Sequence, residues 1–290
     1  MTTFKKIVTH PGGAHKDEFL ACALLIAEHG TPVLRRDPDE SDLSDPEIAV
    51  VDVGHRHEPE LGNFDHHQFP RDAEPSCALS LVLQYLNLYE DACAFCEWLE
   101  PAEWFDCRGA IRTAEWLGVE RDVMFKLNSP IDFTVLKRFA AGSEWKPGDV
   151  IWEMMRMIGE DLLTYIRGMR ERVDGFGQYA RIEGIQMPDQ ADAKIIYIGR
   201  SDTLPEDATQ GLSFYLKEQG IEDSVVAIIS PDSRGEGYGM RRYEDHPKID
   251  FNRIADQPDA HFVHKSGFLA KVTATEKSRL LELLHMAVVS

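Results

Sequence analysis

The chain has 290 residues, of which 43% are hydrophobic and 28% charged, so it carries enough apolar material for one large globular domain or two ordinary ones. Its formal net charge of −19 excludes broad electrostatic attraction to nucleic acid, phosphates or anionic membranes. An anion would have to bind at a local site where the electrostatic potential is positive despite the negative net charge. Residues 231–271 contain seven Lys/Arg and seven Asp/Glu, and this neutral stretch is favoured if side chains hold the anion.

The sequence predicts a cytoplasmic protein with no membrane partner. No apolar run approaches the roughly 20 residues that cross a bilayer, and MTTFKKIVTH lacks the long apolar stretch of a signal peptide. The five cysteines include a C-x-x-C at Cys93 and Cys96, which could be half of a zinc site or a redox pair. The absence of a second C-x-x-C and the helical pattern around this one favour reduced, buried thiols.

Short apolar strands alternate with an amphipathic helix at the start of the chain. The predicted strands are KKIVTH (5–10), TPVLRR (31–36) and EIAVVDVG (47–54), and the last has the apolar run of a strand in the middle of a sheet. PGGA (11–14) is a tight turn, and DEFLACALLIAEHG (17–30) is a helix that ends at Gly30. This order predicts an α/β fold with a doubly wound, mainly parallel sheet.

The remainder of the chain is predicted to form a helical extension and a second domain. Helical patterns run from about 76 to 175, and the two glycines of VDGFGQYA (173–180) are predicted to break them. The strands ARIEGIQM, AKIIYIGR, DSVVAIIS and EGYGMRRYED follow, then IDFNRIA and HFVHKSGF, and a helix covers about 275–288. We therefore predict a domain of residues 1–175 and a smaller α+β domain of residues 180–290.

Histidines and aspartates concentrate at the ends of the predicted strands. In doubly wound sheets, ligands bind outside the carboxyl ends of the strands, so these side chains are expected to converge. Several carboxylates in close proximity repel one another unless a cation is present, and carboxylates and neutral imidazoles are ordinary metal ligands. More ligands than one tetrahedral ion uses, with no cysteine among them, predict two metals rather than a structural zinc. The set is His10, His15, Asp17, Asp52, Asp65, His66 and His67.

For some acids and histidines in this region, the sequence also allows roles other than metal binding. The acids at 17 and 18 could simply complement the dipole of the helix that they open. His55 and His57 alternate around Arg56 and are predicted to face solvent.

The motifs resemble those of the DHH phosphoesterase superfamily, which includes RecJ-type exonucleases, oligoribonuclease/phosphoadenosine phosphatases and manganese-dependent inorganic pyrophosphatases. The chain is more similar to the melanocyte-proliferating-gene (MYG-type) exonuclease branch, whose members open with T-H-x-G-x-x-H-x-D-E. The resemblance spans essentially the whole chain and rests on THPGGAHKDE (9–18), VVDVG (50–54), FDHHQ (64–68) and HFVHKSGF (261–268).

The resemblance implies a role for each matched residue. Asp52 would bridge two metal ions, His67 would meet the substrate phosphate, and Asp65 would orient an imidazole, so that His67 and Asp65 form the catalytic pair. His15 stands where many superfamily members have aspartate, and Cys107-Arg108 interrupts the D-N-G that the branch usually shows. The implied metal ligands are His10, His15, Asp17, Asp52, His66 and Asp106, and the implied substrate-binding residues are His264, Ser266, Gly267, Arg241 and Arg242.

The activity implied by the resemblance is that of a metal-dependent phosphodiesterase, a 3′–5′ exonuclease on short RNA or DNA. It would use two divalent ions, with Mn²⁺ expected and Mg²⁺ or Co²⁺ as alternatives. A phosphatase or pyrophosphatase-like hydrolase of a small phosphorylated metabolite is a second hypothesis, favoured by the acidity of the chain. A non-catalytic, metal-dependent binding protein is a third. No long basic stripe is visible, so binding of long duplexes is not expected, and a dimer stays open.

Overall fold

The computed structural model describes residues 3–126, 129–187, 190 and 192–289. The chain forms two compact units, Met1–Met169 and Arg170–Ser290, each with a six-stranded sheet. The prediction of a mixed α/β protein is confirmed. Within the described residues, we find no helix of the length and apolarity that a bilayer crossing requires.

The first unit opens with strands and helices in alternation, as predicted. In chain order these are β1 (Lys6–Thr9), α1 (Lys16–His29), β2 (Val33–Arg35), α2 (Glu40–Ser44), β3 (Ile48–Val51), β4 (His57–Glu58) and β5 (Asn63–Phe64). The helical extension follows as α3 (Ala78–Tyr85), α4 (Tyr89–Phe95), α5 (Leu99–Leu117), α6 (Arg121–Lys126) and α7 (Pro130–Ala140), then strand β6 (Glu144–Trp145) and helix α8 (Val150–Tyr179). Gly30 ends α1 in the left-handed conformation, with φ 68°.

The sheet of the first unit has the strand order β4-β5-β3-β1-β2-β6. β1 pairs in parallel with β2 on one side and β3 on the other, and β3 pairs in parallel with β5. The chain therefore leaves β1 in one direction and returns on its other side, which creates a crevice between the carboxyl ends of β1 and β3. Helices cover both faces. Ile7 and Val51 point into the large core with α1, whereas Val8 and Val50 pack against Leu43 of α2.

The glycines of residues 173–180 do not end the helical pattern, so the prediction of a break there is wrong. Helix α8 continues to Tyr179. Val173 and Phe176 are both buried, and the Phe176 ring stacks on Tyr215 with 5.2 Å between centroids. An internal glycine costs about 1 kcal/mol relative to alanine, whereas burial of one large apolar side chain contributes about 1.5–3 kcal/mol. Packing therefore outweighs the low helix propensity of the glycines.

The second unit is built on a mainly antiparallel sheet in the order β11-β12-β10-β9-β8-β7, with only β8 and β9 parallel. Its elements are β7 (Ala180–Gly184), β8 (Lys194–Ile198), α9 (Leu212–Glu218), β9 (Val225–Pro231), β10 (Tyr238–Arg242), β11 (Ala260–Val263), β12 (Leu269–Val272) and α10 (Lys277–Ala287). IDFNRIA forms a 3₁₀ turn, Phe251–Ile254, whose terminal side chains fill the core.

The cysteines are all free, but their burial differs from the prediction. Cys22, Cys77 and Cys96 are buried, whereas Cys93 is exposed and Cys107 is half-buried. In the described part of the chain, neither Cys93 nor Cys96 joins a group of residues that could hold a metal. The C-x-x-C lies at the end of α4, with Cys93 in the helix and Cys96 directly after it.

Candidate metal centre

Polar residues follow three adjacent parallel strands of the first unit at the points where these strands end. His10 comes directly after β1, Asp52 after β3 and Asp65 after β5. Potential ligand atoms lie within 4.8 Å of one another in four groups that share members. The predicted metal residues are therefore brought together, in a cluster with more ligands than one cation uses. The groups are His10, His15, Glu18 and Asp52; Asp52, Asp65, His66 and His67; His66, Asp106 and Cys107; and His15, Asp17 and Asp106.

Asp52 occupies the centre of this cluster. Its Oδ2 lies 3.4 Å from His10 Nε2, and its Oδ1 lies 3.2 Å from His66 Nε2. The two oxygens of one carboxylate thus face two different imidazoles, as a carboxylate shared by two cations would. The backbone of Asp52 has φ 58°, a left-handed conformation that aspartate and asparagine adopt more readily than most residues. Its amide still donates to Phe64 O (3.0 Å), so β5 holds the turn in place.

Glu18, which was not among the predicted metal ligands, also lies beside the end of β1. Glu18 is fully buried; its Oε2 accepts the His15 amide (2.7 Å), and its Oε1 lies 3.2 Å from His10 Nε2. The His10 ring donates from Nδ1 to Pro11 O (2.9 Å), which leaves Nε2 directed at the cluster. A contribution to the helix dipole alone does not account for these contacts. The H-x-D-E spacing of 15–18 was the available signal.

A buried arginine supports the same loop. The Arg35 guanidinium donates to Gly12 O (3.2 Å) and Gly13 O (2.9 Å), lies 4.5 Å above the Phe139 ring and is 3.8 Å from Glu18 Oε1. Its two donors thus hold both carbonyls of the turn that separates the first two histidines. Arg35 is read from the sequence only as the end of a predicted strand, and no local pattern marks it.

The two histidines of the D-H-H motif point in different directions, and Asp65 contacts the second of them. Asp65 is buried; its Oδ2 accepts the His55 amide (2.7 Å), and its Oδ1 accepts the His67 amide (3.0 Å) and ring Nδ1–H (2.7 Å). These bonds fix the His67 ring, which is half exposed at its other edge. Gly62 has φ 77° just before β5, and a Cβ there would lie 2.6 Å from Ile48 O, so only glycine fits.

His66 points inward and reaches Asp106 of α5. His66 Nε2 lies 3.1 Å from Asp106 Oδ2, and His66 Nδ1 lies 3.7 Å from Cys107 Sγ. Although Cys107-Arg108 interrupts the usual D-N-G motif, the Asp106 carboxylate still faces His66. Cys107 donates to Ser76 O (3.1 Å) and Arg108 to Ala73 O, so both extra side chains bind the preceding loop and leave Asp106 directed at the cluster.

Charge is unevenly distributed over the cluster in the absence of metal. Burial and repulsion by Asp52 and Asp106 raise the pKa of Asp17 well above its ordinary value. Burial also opposes ionisation of Asp52, but the neighbouring His10 and His66 rings lower its pKa to about 2. The neighbouring carboxylates of Asp52 and Glu18 raise the pKa of His10 to about 10. For His66, burial is outweighed by Asp106 and Asp52, and the pKa rises to about 12.

The donor set fits divalent cations. Buried ligand atoms of five residues face the cluster without a hydrogen-bond partner among the described residues. A buried polar atom without a hydrogen bond costs about 1–3 kcal/mol, and a divalent cation held by these atoms would offset that cost. Imidazole nitrogens and carboxylate oxygens suit Mn²⁺, Co²⁺ or Zn²⁺, and the carboxylates also suit Mg²⁺. The atoms are His10 Nε2, Asp17 Oδ1 and Oδ2, Glu18 Oε1, Asp52 Oδ1 and His66 Nε2.

The residues predicted to bind substrate lie in the second unit. His264, Ser266 and Gly267 form the turn between β11 and β12, where His264 Nδ1 lies 2.8 Å from Ser266 Oγ. Gly267 has φ 68°, and a Cβ there would lie 1.9 Å from Asp250 Oδ1. The conformation of this turn therefore requires glycine, whatever the turn binds.

The two candidate arginines at the end of β10 differ in their surroundings. Arg242 forms an ion pair with Asp245 (2.8 Å), and its amide donates to Phe268 O (3.0 Å) beside the same turn. The Arg241 side chain is exposed. Arg241 is therefore the better placed of the two for an external phosphate.

The N-terminal segment is similar to known proteins of one family. Residues 6–76 match the MYG1 exonuclease family model, described as Uncharacterised protein family (UPF0160). The chain is 40% identical over 87 residues to the MYG1 protein of Chlamydia trachomatis, which is 29% of each chain. It is 43% identical over 65 residues to the MYG1 exonuclease of Mus musculus, which is 22% of this chain and 17% of the mouse protein. The matches thus span less than a third of these relatives.

Solved structures show only distant similarity. The RecJ protein of Thermus thermophilus in complex with Mn²⁺ aligns with 98% of this chain and 51% of its own, at 14% identity and a TM-score of 0.27. An exopolyphosphatase-related protein from Bacteroides fragilis aligns with 97% of this chain and 90% of its own, at 10% identity and a TM-score of 0.27.

Proposed function

We propose that the chain, whose residues 6–76 match the MYG1 exonuclease family model, is a metal-dependent phosphoester hydrolase. Its substrate is a short RNA or DNA strand that it shortens from the 3′ end, with two divalent cations as cofactors. Mn²⁺ is the expected metal, with Mg²⁺ and Co²⁺ as alternatives. In this proposal the first unit carries the metals and the catalytic residues, and the second unit binds substrate.

The observation that carries the proposal is the convergence of buried imidazole and carboxylate ligand atoms on both sides of Asp52. Two divalent cations, when bound, activate a water for attack on phosphorus and offset charge that develops on the phosphoryl oxygens. His10, His15 and Asp52 hold one cation, and Glu18 positions the two histidines. Asp17, Asp52, His66 and Asp106 hold the other. Asp52 serves both because its two oxygens face different histidines.

His67 acts on the substrate in this proposal, and Asp65 fixes the orientation of its ring. Because Nδ1–H donates to Asp65, the Nε2 edge is the one available to the scissile phosphate. As an imidazolium, His67 donates a hydrogen bond to a phosphoryl oxygen or a proton to the leaving oxygen. Asp65 accepts three hydrogen bonds, which matches a positioning role better than that of a ligand.

We further propose that the turn between β11 and β12 binds the substrate's phosphate or sugar groups. His264 and Ser266 present a ring nitrogen and a hydroxyl at this turn, and Arg241 presents an exposed guanidinium at the adjacent strand end. Arg242 and Gly267 stay in the proposed set, although Arg242 already has an acidic partner.

The decisive test is a substrate panel with the purified protein in Mn²⁺, Mg²⁺, Co²⁺ or EDTA. The panel contains 5′-labelled RNA and DNA oligonucleotides of two to ten residues, mononucleotides, pyrophosphate and a chromogenic phosphodiester. We expect metal-dependent, stepwise shortening of the labelled strands that EDTA abolishes. Internal cleavage, or hydrolysis that persists in EDTA, contradicts the proposal.

One observation favours a second candidate, a phosphatase of small phosphorylated metabolites. The net charge of −19 opposes polyanion binding and has less effect on a mononucleotide or pyrophosphate. If only these small compounds are hydrolysed, the exonuclease proposal fails and the phosphatase replaces it. Tight Mn²⁺ binding with no turnover of any compound would instead indicate a metal-dependent binding protein.

A further inference from the structure

The helical extension contains a positively charged segment within an acidic chain. Residues 107–140 have six Lys/Arg and four Asp/Glu, a net charge of +2, so the remaining residues together carry −21. The cations lie on α5, α6 and α7, which follow the strands of the sheet in sequence. An anionic ligand meets less repulsion at this segment than at the acidic stretches of the chain.

Exposed aromatic rings accompany these cations. In α6, the Arg121 guanidinium lies 5.0 Å from the centre of the Phe125 ring, and both side chains are exposed. In α7, Phe133 is 70% exposed, and Lys137 is one helical turn further along the same face. A ring beside a cation is the arrangement with which proteins bind single-stranded nucleic acid, because bases stack on rings while phosphates pair with cations.

The segment borders the metal centre at two places. Phe105 is half exposed and directly precedes Asp106, whose carboxylate faces His66. At the start of α7, Asp132 Oδ2 lies 2.5 Å from the ammonium of Lys16, the residue between the metal-centre residues His15 and Asp17. The exposed rings at 105 and 133 therefore each lie one residue from a side chain that contacts the metal centre or its flank.

We propose that this aromatic surface, formed by Phe105, Phe125 and Phe133 with Arg121 and Lys137, binds a single-stranded oligonucleotide whose end lies at the metal centre. The inference rests on the proposed function and specifies its substrate as a strand of several nucleotides in place of a mononucleotide. A second copy of the chain is the alternative occupant. It is disfavoured because a symmetric contact would bring the cations of both copies together.

The test measures strand binding separately from cleavage. Binding of a labelled single-stranded hexanucleotide is followed by fluorescence anisotropy in EDTA, where metal-dependent cleavage is absent. Phe133→Leu and Phe105→Leu keep an apolar side chain but remove the stacking face, and each should weaken binding about tenfold. Phe133→Trp should restore it. Lys137→Gln should reduce the slope of log affinity against log salt by about 0.7.

Lys5→Gln is the matched control, because it removes one exposed charge at the amino end of β1, away from the strand ends that carry the centre. Its affinity for the hexanucleotide should equal that of the wild type. With Mn²⁺, the ratio of kcat/KM for the hexanucleotide to that for a dinucleotide should fall about tenfold in Phe133→Leu and stay constant in Lys5→Gln.

The outcomes separate this inference from the proposed function. If the wild type cleaves strands but the leucine variants bind and cleave them equally well, the aromatic surface is wrong and the activity stands. If strands bind with the expected losses but are never cleaved, the surface stands and the hydrolase fails. If sedimentation shows a dimer that Phe133→Leu dissociates while strand affinity is unchanged, the second copy is the occupant and the inference is overturned.

Discussion

The strand ends of the first unit and the helices that follow them contribute to the candidate site in different ways. β1, β3 and β5 supply His10, Asp52 and Asp65 from positions whose backbone is paired on both sides or held by a neighbouring strand. The helical extension supplies one directed ligand, Asp106, and otherwise presents exposed rings and cations. The side chains at the strand ends are therefore held more firmly in position than the exposed side chains on the helices.

From this difference we expect the strand-end residues to serve catalysis and the exposed helix residues to serve substrate recognition. The candidate ligands His10 and Asp52 directly follow strands, where moving one residue disturbs paired backbone on either side. A side chain that only has to meet a strand of nucleotides can lie on a helix face. The match to the MYG1 exonuclease family model also ends at residue 76, before the helical extension begins. We expect substitutions of the candidate ligands, including Asp17 on α1 and Asp106 on α5, to abolish catalysis, and substitutions of the exposed rings and cations on the helices to change substrate preference.

The largest effect is expected for Asp52→Asn. Asparagine tolerates the left-handed backbone at this position, so the fold should be kept while the shared anionic ligand is lost. Turnover of the best substrate in Mn²⁺ should fall at least about 10³-fold. Initial rates and far-ultraviolet circular dichroism of the same preparation check this. Retained turnover with normal metal dependence would remove Asp52 from the centre.

A second pair of variants separates the two adjacent histidines. His66→Ala should weaken Mn²⁺ binding in calorimetric titrations, because its Nε2 faces two carboxylates of the cluster. His67→Ala should leave Mn²⁺ affinity unchanged and lower kcat about 10²-fold, as expected for loss of a proton donor. Equal loss of metal affinity in both variants contradicts the division of roles within the D-H-H motif.

A smaller effect, on Mn²⁺ affinity, is expected for the buried Arg35, and its less buried neighbour Arg36 provides a matched control. Arg35→Lys cannot donate to both Gly12 O and Gly13 O with fork geometry, so the loop that carries His10 and His15 should loosen. Mn²⁺ affinity should fall about tenfold. Arg36→Lys alters the pair with Asp42 and the hydrogen bond to Asp37 O, neither of which touches the Gly12–Gly13 turn, and should leave Mn²⁺ affinity unchanged. A comparable loss in both variants would indicate a general loss of stability.

The smallest effects concern stability without metal, where two buried acids of the first unit should respond in opposite directions. Bonds from Arg36 and Lys6 hold the pKa of Asp42 below its ordinary value, so its contribution is present above about pH 4 and is lost as pH falls further. Asp42→Asn should cost about 1.5–3 kcal/mol at pH 7. The pKa of Asp17 is raised, so its ionised form opposes folding, and Asp17→Asn should stabilise the EDTA-treated protein.

Urea unfolding at pH 7 and at pH 3.5 checks both signs. The two differences from wild type should shrink at the lower pH, because the unfolded-state carboxyls are then largely protonated. Mn²⁺ should raise the midpoint for wild type and Asp42→Asn but not for Asp17→Asn. Destabilisation of the metal-free protein by Asp17→Asn would show that this carboxylate has a structural partner.

The sequence predicts the first unit well where a local pattern and a general rule coincide. Apolar runs that end in a polar residue mark the strands, and the rule that ligands gather at carboxyl ends then places His10 and Asp52 together. The D-H-H motif is recognisable because adjacent imidazoles and an acid have few structural explanations. Asp106 required the family resemblance, since nothing local distinguishes an acid on a helix from a solvated one.

The features that the sequence did not predict depend on contacts between distant segments. Arg35 is buried only because the Gly12–Gly13 turn and Phe139 of α7 enclose it. Glu18 becomes part of the centre through its contact with His10 across the turn. The continuation of α8 past Gly175 depends on the burial of Phe176 against α9. Propensity and periodicity do not contain this information.

The continuity of the first unit also has a consequence during synthesis. Among the described residues, the groups of the candidate metal centre lie between His10 and Cys107, and the large core beneath it extends to Ile166. Ribosomes add about 5–20 residues per second, so synthesis of the second unit takes on the order of 10 s after the first unit is complete. The first unit of a nascent chain can therefore be complete before the second unit exists, so divalent cations would be able to reach the candidate centre at that stage.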